Sequence, residues 1–123
     1  MKTTHRLLLL TTIGSVTCAC QGGNSSDGPP ASATFSSVSA VFAKNCVGCH
    51  TGAKAKEGID LNTYASVMKG GREGAIITAG EPEKSVIIMA MRGKGKDQMP
   101  PAGPLAEEQI KVVEDWIRAG AKE

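Results

Sequence analysis

Aromatic side chains are scarce in this sequence: one Trp, one Tyr and two Phe in 123 residues. A core with so few large rings needs apolar bulk from another source. A chain this short commonly relies on a staple, a metal or a cofactor to hold a single domain together. An excess of charge of one sign is also missing, with 14 Lys and Arg against 12 Asp and Glu. That balance excludes the basic surplus of a nucleic-acid binder. No apolar run is long enough to span a bilayer, no convincing strand pattern occurs, and no segment repeats. Histidine occurs only as His5 and His50. The four cysteines form two very local pairs, Cys18 with Cys20 and Cys46 with Cys49. Such spacing does not staple distant elements.

What is present begins with an export signal at residues 1–20. Lys2, His5 and Arg6 give a positive start, and the apolar stretch from Leu7 to Val16 has the length of a signal core. Cysteine after that core, followed by a polar linker, resembles a bacterial lipoprotein signal, with Cys20 (after Ala19) or Cys18 as the lipidated residue. The alternative is an ordinary signal peptide that leaves a soluble periplasmic protein. Residues 21–34, QGGNSSDGPPASAT, read as a flexible tether of Gly, Ser and Pro. Localisation is therefore expected to be exported, on the periplasmic side and anchored as a lipoprotein. The membrane is met only through that anchor, and a monomer is expected.

The domain occupies residues 35–123. Phe35, Val38, Val41 and Phe42 recur at helical spacing and predict a helix over 35–45. Asn62 or Thr63 can cap a short helix through Tyr64, Val67 and Met68, stopped by Gly70-Gly71. Pro82 suits the first turn of a helix carrying Val86, Ile87, Ile88, Met89 and Met91 and ending before Gly93. A last helix is predicted from Ala106 to Ala119, with Ile110, Val113, Trp116 and Ile117 as its buried stripe and Glu107 and Glu108 in its first turn. The fold class is all-α.

Cys46-Val47-Gly48-Cys49-His50 is a C-x-x-C-H motif, the attachment pattern for haem c. Two thiols at this spacing can each form a thioether to one of the two haem vinyl groups. The following imidazole then lies under the iron, and Gly48 is expected to ease the tight backbone. A redox dithiol would sit in a βαβ setting that the sequence does not offer. A structural zinc site needs four ligands, and this cluster has three.

A sixth ligand is sought among Met68, Met89, Met91 and Met99. Met89 and Met91 belong to an apolar helix and read as core filling, as does Met68. Met99 precedes Pro100-Pro101 in a loop of Gly, Lys and Pro, where fixed φ angles stiffen its approach. Met99 is therefore taken as the distal ligand opposite His50. Thioether ligation raises the iron potential. Site residues are thus Cys46, Cys49, His50 and Met99 for the cofactor, with His50 and Met99 on the metal.

With these residues in place, residues 35–121 resemble the class I monohaem c-type cytochromes, and most closely the small planctomycete-type cytochrome c domain. Besides the attachment motif, the likeness rests on Phe42 four residues before Cys46, on Gly80-Glu81-Pro82-Glu83-Lys84-Ser85, on Met99-Pro100-Pro101 and on Asp115-Trp116-Ile117-Arg118-Ala119-Gly120-Ala121. The resemblance implies a cytochrome c-like fold of about four short helices around one covalently attached haem c. It also implies that the first and last helices cross, with Phe42 and Trp116 in contact. Three positions depart from the pattern. Val38 stands where many members have Gly. Gly58-Ile59-Asp60-Leu61 replaces the Gly-Pro that anchors the proximal histidine. Ala106 replaces a Ser or Thr cap, a change worth about 1 kcal/mol.

The function expected is electron transfer by one His/Met-ligated haem, without catalysis on a substrate. Two rivals are a gas sensor or enzyme with an open distal iron, and an interaction lipoprotein whose Cys46 and Cys49 form a local bridge. Lys44, Lys54, Lys56, Arg92, Lys94 and Lys96 flank the motif and the Met99 loop. In the family fold they would border the haem edge, as a basic rim for an acidic redox protein partner or as a propionate partner at Arg92 or a nearby Lys. An ordinary solvated loop is the alternative.

Overall fold

The computed structural model describes residues 33–123. The expected signal at 1–20 and nearly all of the tether at 21–34 lie outside the described residues. Four helices follow in order: α1 (Phe35–Asn45), α2 (Tyr64–Lys69), α3 (Val86–Met91) and α4 (Glu107–Arg118). Short 3₁₀ turns stand at Gly52–Lys54, Lys56–Gly58 and Pro82–Lys84. No strand occurs among the described residues, only an isolated bridge between Gly71 and Gly74. No helix among them is long and apolar enough to cross a membrane.

Each helix follows from its local sequence. In α1 the spacing of Val38, Val41 and Phe42 buries one face, and Lys44 in the last turn complements the carbonyl end. Thr63 caps α2 by accepting from the Ser66 N–H at 3.2 Å. Gly70 ends that helix at φ 77°, a conformation that costs glycine little. In α4 the acidic first turn and Arg118 in the last turn both suit the dipole. Ala106 stands at its N-cap and makes no side-chain cap bond.

The segment from Pro82 to Met91 differs from the single helix that its sequence suggests. It divides at Ser85, whose ψ of 122° is extended, into a 3₁₀ turn and α3. Ser85 is fully buried. Its hydroxyl accepts from the Thr78 N–H at 2.9 Å and donates to the Glu81 carbonyl at 3.0 Å. These bonds compete with a continuous helical ladder and win.

The core lies between α4 and what it packs on: α1, α3 and the Pro82–Lys84 turn. Val38, Phe42, Val113, Trp116 and Ile117 are fully shielded from solvent. Phe42 shares this core, but the rings against Trp116 are Phe35 at 5.8 Å and Tyr64 at 6.5 Å between centroids. Phe35 and Tyr64 meet edge to face at 5.6 Å, a geometry that adds to their burial. Both polar ring atoms find carbonyls just beyond α4. Trp116 Nε1 donates to Lys122 O at 2.6 Å, and the Tyr64 hydroxyl donates to Ala121 O at 3.0 Å. The buried Asp115 is straddled by Lys111 at 3.1 Å and Arg118 at 3.0 Å. Gly80 N–H donates to Ile117 O at 2.8 Å, which ties the loop before α3 to the end of α4.

Candidate functional site

The attachment motif is a turn wound directly off the end of α1. Cys46 and Val47 N–H groups both return to the Phe42 carbonyl, at 2.8 and 3.0 Å. Cys49 and His50 N–H groups then return to the Cys46 carbonyl, at 3.1 and 3.0 Å. Gly48 is not what permits this winding. An added Cβ there would meet nothing within 4 Å, and its φ lies outside the left-handed region. Space, rather than backbone need, distinguishes that position.

The two cysteines are unbridged. Cys49 is exposed and Cys46 is half-buried. Burial pushes the Cys46 thiol up to about 11, opposite to the depression that activates thiols for disulfide exchange.

His50 is buried, with 8% of its surface exposed. Its Nδ1 lies 3.2 Å from the Ile59 carbonyl. A carbonyl can only accept, so Nδ1 carries the proton and Nε2 keeps the lone pair that a metal requires. The acceptor belongs to the Gly58–Leu61 stretch that replaces the missing Gly-Pro. Sequence reasoning could place the segment but not the atom, because a backbone carbonyl has no residue signature. The His50 carbonyl is itself bonded by the Leu61 N–H at 2.9 Å, so the histidine is pinned at side chain and backbone by one short stretch.

Met99 comes from the loop after α3. The loop after α3 doubles back on the helix end: Lys94 and Gly95 N–H groups bond Met89 O at 2.9 and 3.1 Å, and Met99 N–H bonds Ala90 O at 2.9 Å. Met99 is thereby held near α3, followed by Pro100 and Pro101.

All four expected site residues, Cys46, Cys49, His50 and Met99, line one cleft of about 120 Å³. Leu61, Ile76, Ile87, Ala90 and Met91 supply its apolar walls, and Asn45 and Lys56 its only polar side chains apart from the imidazole and thiols. A wider recess of about 800 Å³ adjoins it, sharing His50, Ile59, Val86 and Met99. Val86 is the one large hydrophobic side chain exposed among the described residues, at 50%, and it lines both spaces. Apolar walls, two thiols, one imidazole with a free lone pair and one thioether match the donor set and surface of a flat, covalently attached macrocycle. Met91 is 2% exposed and belongs to the core, as its helical register implied. It also forms part of the cleft wall, while Met89 lines the recess.

The basic rim is modified by the structure. Arg92 holds two carboxylates of α4, Glu107 at 2.6 Å and Glu114 at 2.9 Å. Its charge is neutralised locally and its fork ties the end of α3 to α4. Lys96 lies 3.7 Å from Glu73, with both side chains more than four-fifths exposed, so that pair contributes little. The recess mixes signs, since Lys54, Lys56, Arg72 and Lys96 stand among Glu57, Glu73 and Asp97.

A family model described as Planctomycete cytochrome C matches residues 46–103. No curated protein and no solved structure matches the chain. The matched span opens on the first cysteine of the attachment turn and extends just past the methionine loop, so it includes Cys46, Cys49, His50 and Met99 and every other residue lining the cleft except Asn45. Over those residues the chain is similar to a planctomycete-type cytochrome c domain.

Proposed function

We propose that this domain is an electron carrier with one covalently bound haem c, held by Cys46 and Cys49 and ligated axially by His50 and Met99. One observation carries the reading: two thiols and an oriented imidazole from the turn after α1, and a thioether from the loop after α3, line a single apolar cleft. The haem supplies one-electron exchange between ferric and ferrous iron. The residues of the chain do the rest. The Ile59 carbonyl holds the Nδ1 proton of His50, so that Nε2 remains a ligand throughout. The hydrogen bond from Met99 N–H to Ala90 O limits travel of the distal loop. Leu61, Ile76 and Ile87 exclude water and keep the dielectric low, which favours a high potential.

The carrier works on the exported side, tethered through Cys20 or Cys18. Its partner is an acidic redox protein, met by Lys44, Lys54, Lys94 and Lys96, with Arg92 committed to α4.

The test is to express residues 33–123 in a periplasm with haem-attachment machinery and record the reduced visible spectrum with and without carbon monoxide. A low-spin haem c spectrum unmoved by carbon monoxide is expected. A shifted spectrum would replace the carrier with a sensor or enzyme, and a colourless protein would remove the haem.

A further inference from the structure

Gly71 reads in the sequence only as part of a helix stop, yet its backbone abuts the segment that orients His50. That segment, residues 57–61, has little regular structure. Glu57 and Gly58 take positive φ angles of 54° and 70°, and Ile59 is extended. Its inner bonds run from Ile59 N–H to Lys56 O at 3.0 Å and from Leu61 N–H to His50 O at 2.9 Å. On the other side lies the tight turn Gly71–Gly74, whose two ends exchange hydrogen bonds of 2.9 and 3.1 Å. Arg72 N–H extends from this turn to Glu57 O at 2.9 Å.

Contact is closest at Gly71. A Cβ there would lie 2.5 Å from Ile59 Cγ1 and 2.8 Å from Glu57 O. Its φ lies outside the left-handed region, so glycine is required for approach rather than for torsion. The approach is reciprocal, since a Cβ on Gly58 would stand 3.2 Å from Arg72 Cγ. Two glycines, one on each segment, let the backbones close on one another.

We infer that Gly71 is a positioning residue for His50, acting through Ile59 to fix the carbonyl that receives the Nδ1 proton. The inference rests on His50 being the haem ligand. An acceptor on Nδ1–H raises imidazole basicity and so stabilises ferric iron. Loosening the Ile59 carbonyl weakens that acceptor, and the ferrous form gains.

The test compares wild type, Gly71→Ala, Ile59→Ala and the double variant, each haem-loaded, by potentiometric titration and by the ¹⁵N signal of the His50 ring. Gly71→Ala is expected to raise the reduction potential, seen as a severalfold rise in the ferrous-to-ferric ratio at fixed poise, and both single changes to shift the Nδ1 signal; because the Ile59 side chain also lines the cleft, the ring signal is the readout for Ile59→Ala. The double variant is expected to return part of the way toward wild type, because it relieves the contact with Ile59 Cγ1 while that with Glu57 O remains; such non-additivity marks direct coupling. Lower melting temperatures with unmoved potential and Nδ1 signal would show a merely structural glycine and overturn the inference. Should Gly71→Ala fail to fold, the Nδ1 signal of Ile59→Ala decides, and an unshifted signal there overturns the inference. If wild type takes no haem, the carrier reading falls. The ring signal of the haem-free chain then decides, with one tautomer unchanged between wild type and Ile59→Ala counting against the inference.

Discussion

Cys46 and Cys49 are three positions apart and live in different surroundings. The difference can be read in a chain prepared without haem attachment. Alkylation at about pH 8 should label Cys49 fast and Cys46 slowly, because only the thiolate reacts and burial raises the Cys46 value to about 11. The same shift has a consequence for stability. The unfolded thiol titrates near its ordinary 9.0, the folded one near 11. The folded state therefore keeps its proton while the unfolded state loses it. Stability is complete below about pH 9 and declines as pH rises toward the folded value. Urea midpoints measured at about pH 8 and about pH 10 should show that decline, and Cys46→Ala should flatten it. At Met99 the expectation concerns ligation. Met99→Ala should keep the haem, since the thioethers remain, but bind carbon monoxide and lower the potential; a carbon-monoxide-silent variant would locate the sixth ligand elsewhere. The motif, the histidine and the methionine were all legible in the sequence, because their chemistry is in their side chains. The Ile59 carbonyl was not legible, and neither was the irrelevance of Gly48, because both depend on which backbone passes nearby.

Helices were read well where apolar spacing and end signals agreed. The sequence places α1 at the residues where it occurs, and Thr63 and Gly70 bound α2 as their types suggest. The continuous helix expected from Pro82 failed at Ser85, where a side-chain hydroxyl outcompetes the ladder by bonding backbone on two sides. Arg92, expected in the rim, also pairs with two carboxylates of α4. Nothing local announces that Glu107 and Glu114 lie one helix away and within reach. The weak start of α4 was visible from sequence and has a direct test. Ala106→Ser supplies the missing acceptor for the first turn and should raise stability by about 1 kcal/mol. A higher melting temperature in a thermal scan checks it, and no change would mean that Glu107 and Glu108 already saturate that end.

At the scale of the molecule, α4 is the member on which the other pieces are mounted, and the cleft opens between the segment after α1 and the segment after α3. The proposed ligands thus come from regions far apart in the chain, and an apolar cofactor between them would cover Val86 and add bulk that four aromatic residues cannot supply. Charge is dispersed rather than gathered. Steering is accordingly expected to be modest and carried by Lys44, Lys54, Lys94 and Lys96. Replacing Lys54, Lys94 and Lys96 with Ala should slow association with an acidic redox partner at low salt and leave the rate at high salt unchanged. Equal rates at both salt concentrations would assign docking to another face.

The packing of Phe35 against Trp116, beside the carbonyls of Ala121 and Lys122, brings the entry and the exit of the folded unit together. A unit whose two ends meet can be spliced into a surface loop of a host protein without stretching the host apart. Two neighbouring junctions in a surface loop are accordingly all the geometry that this unit asks of a host.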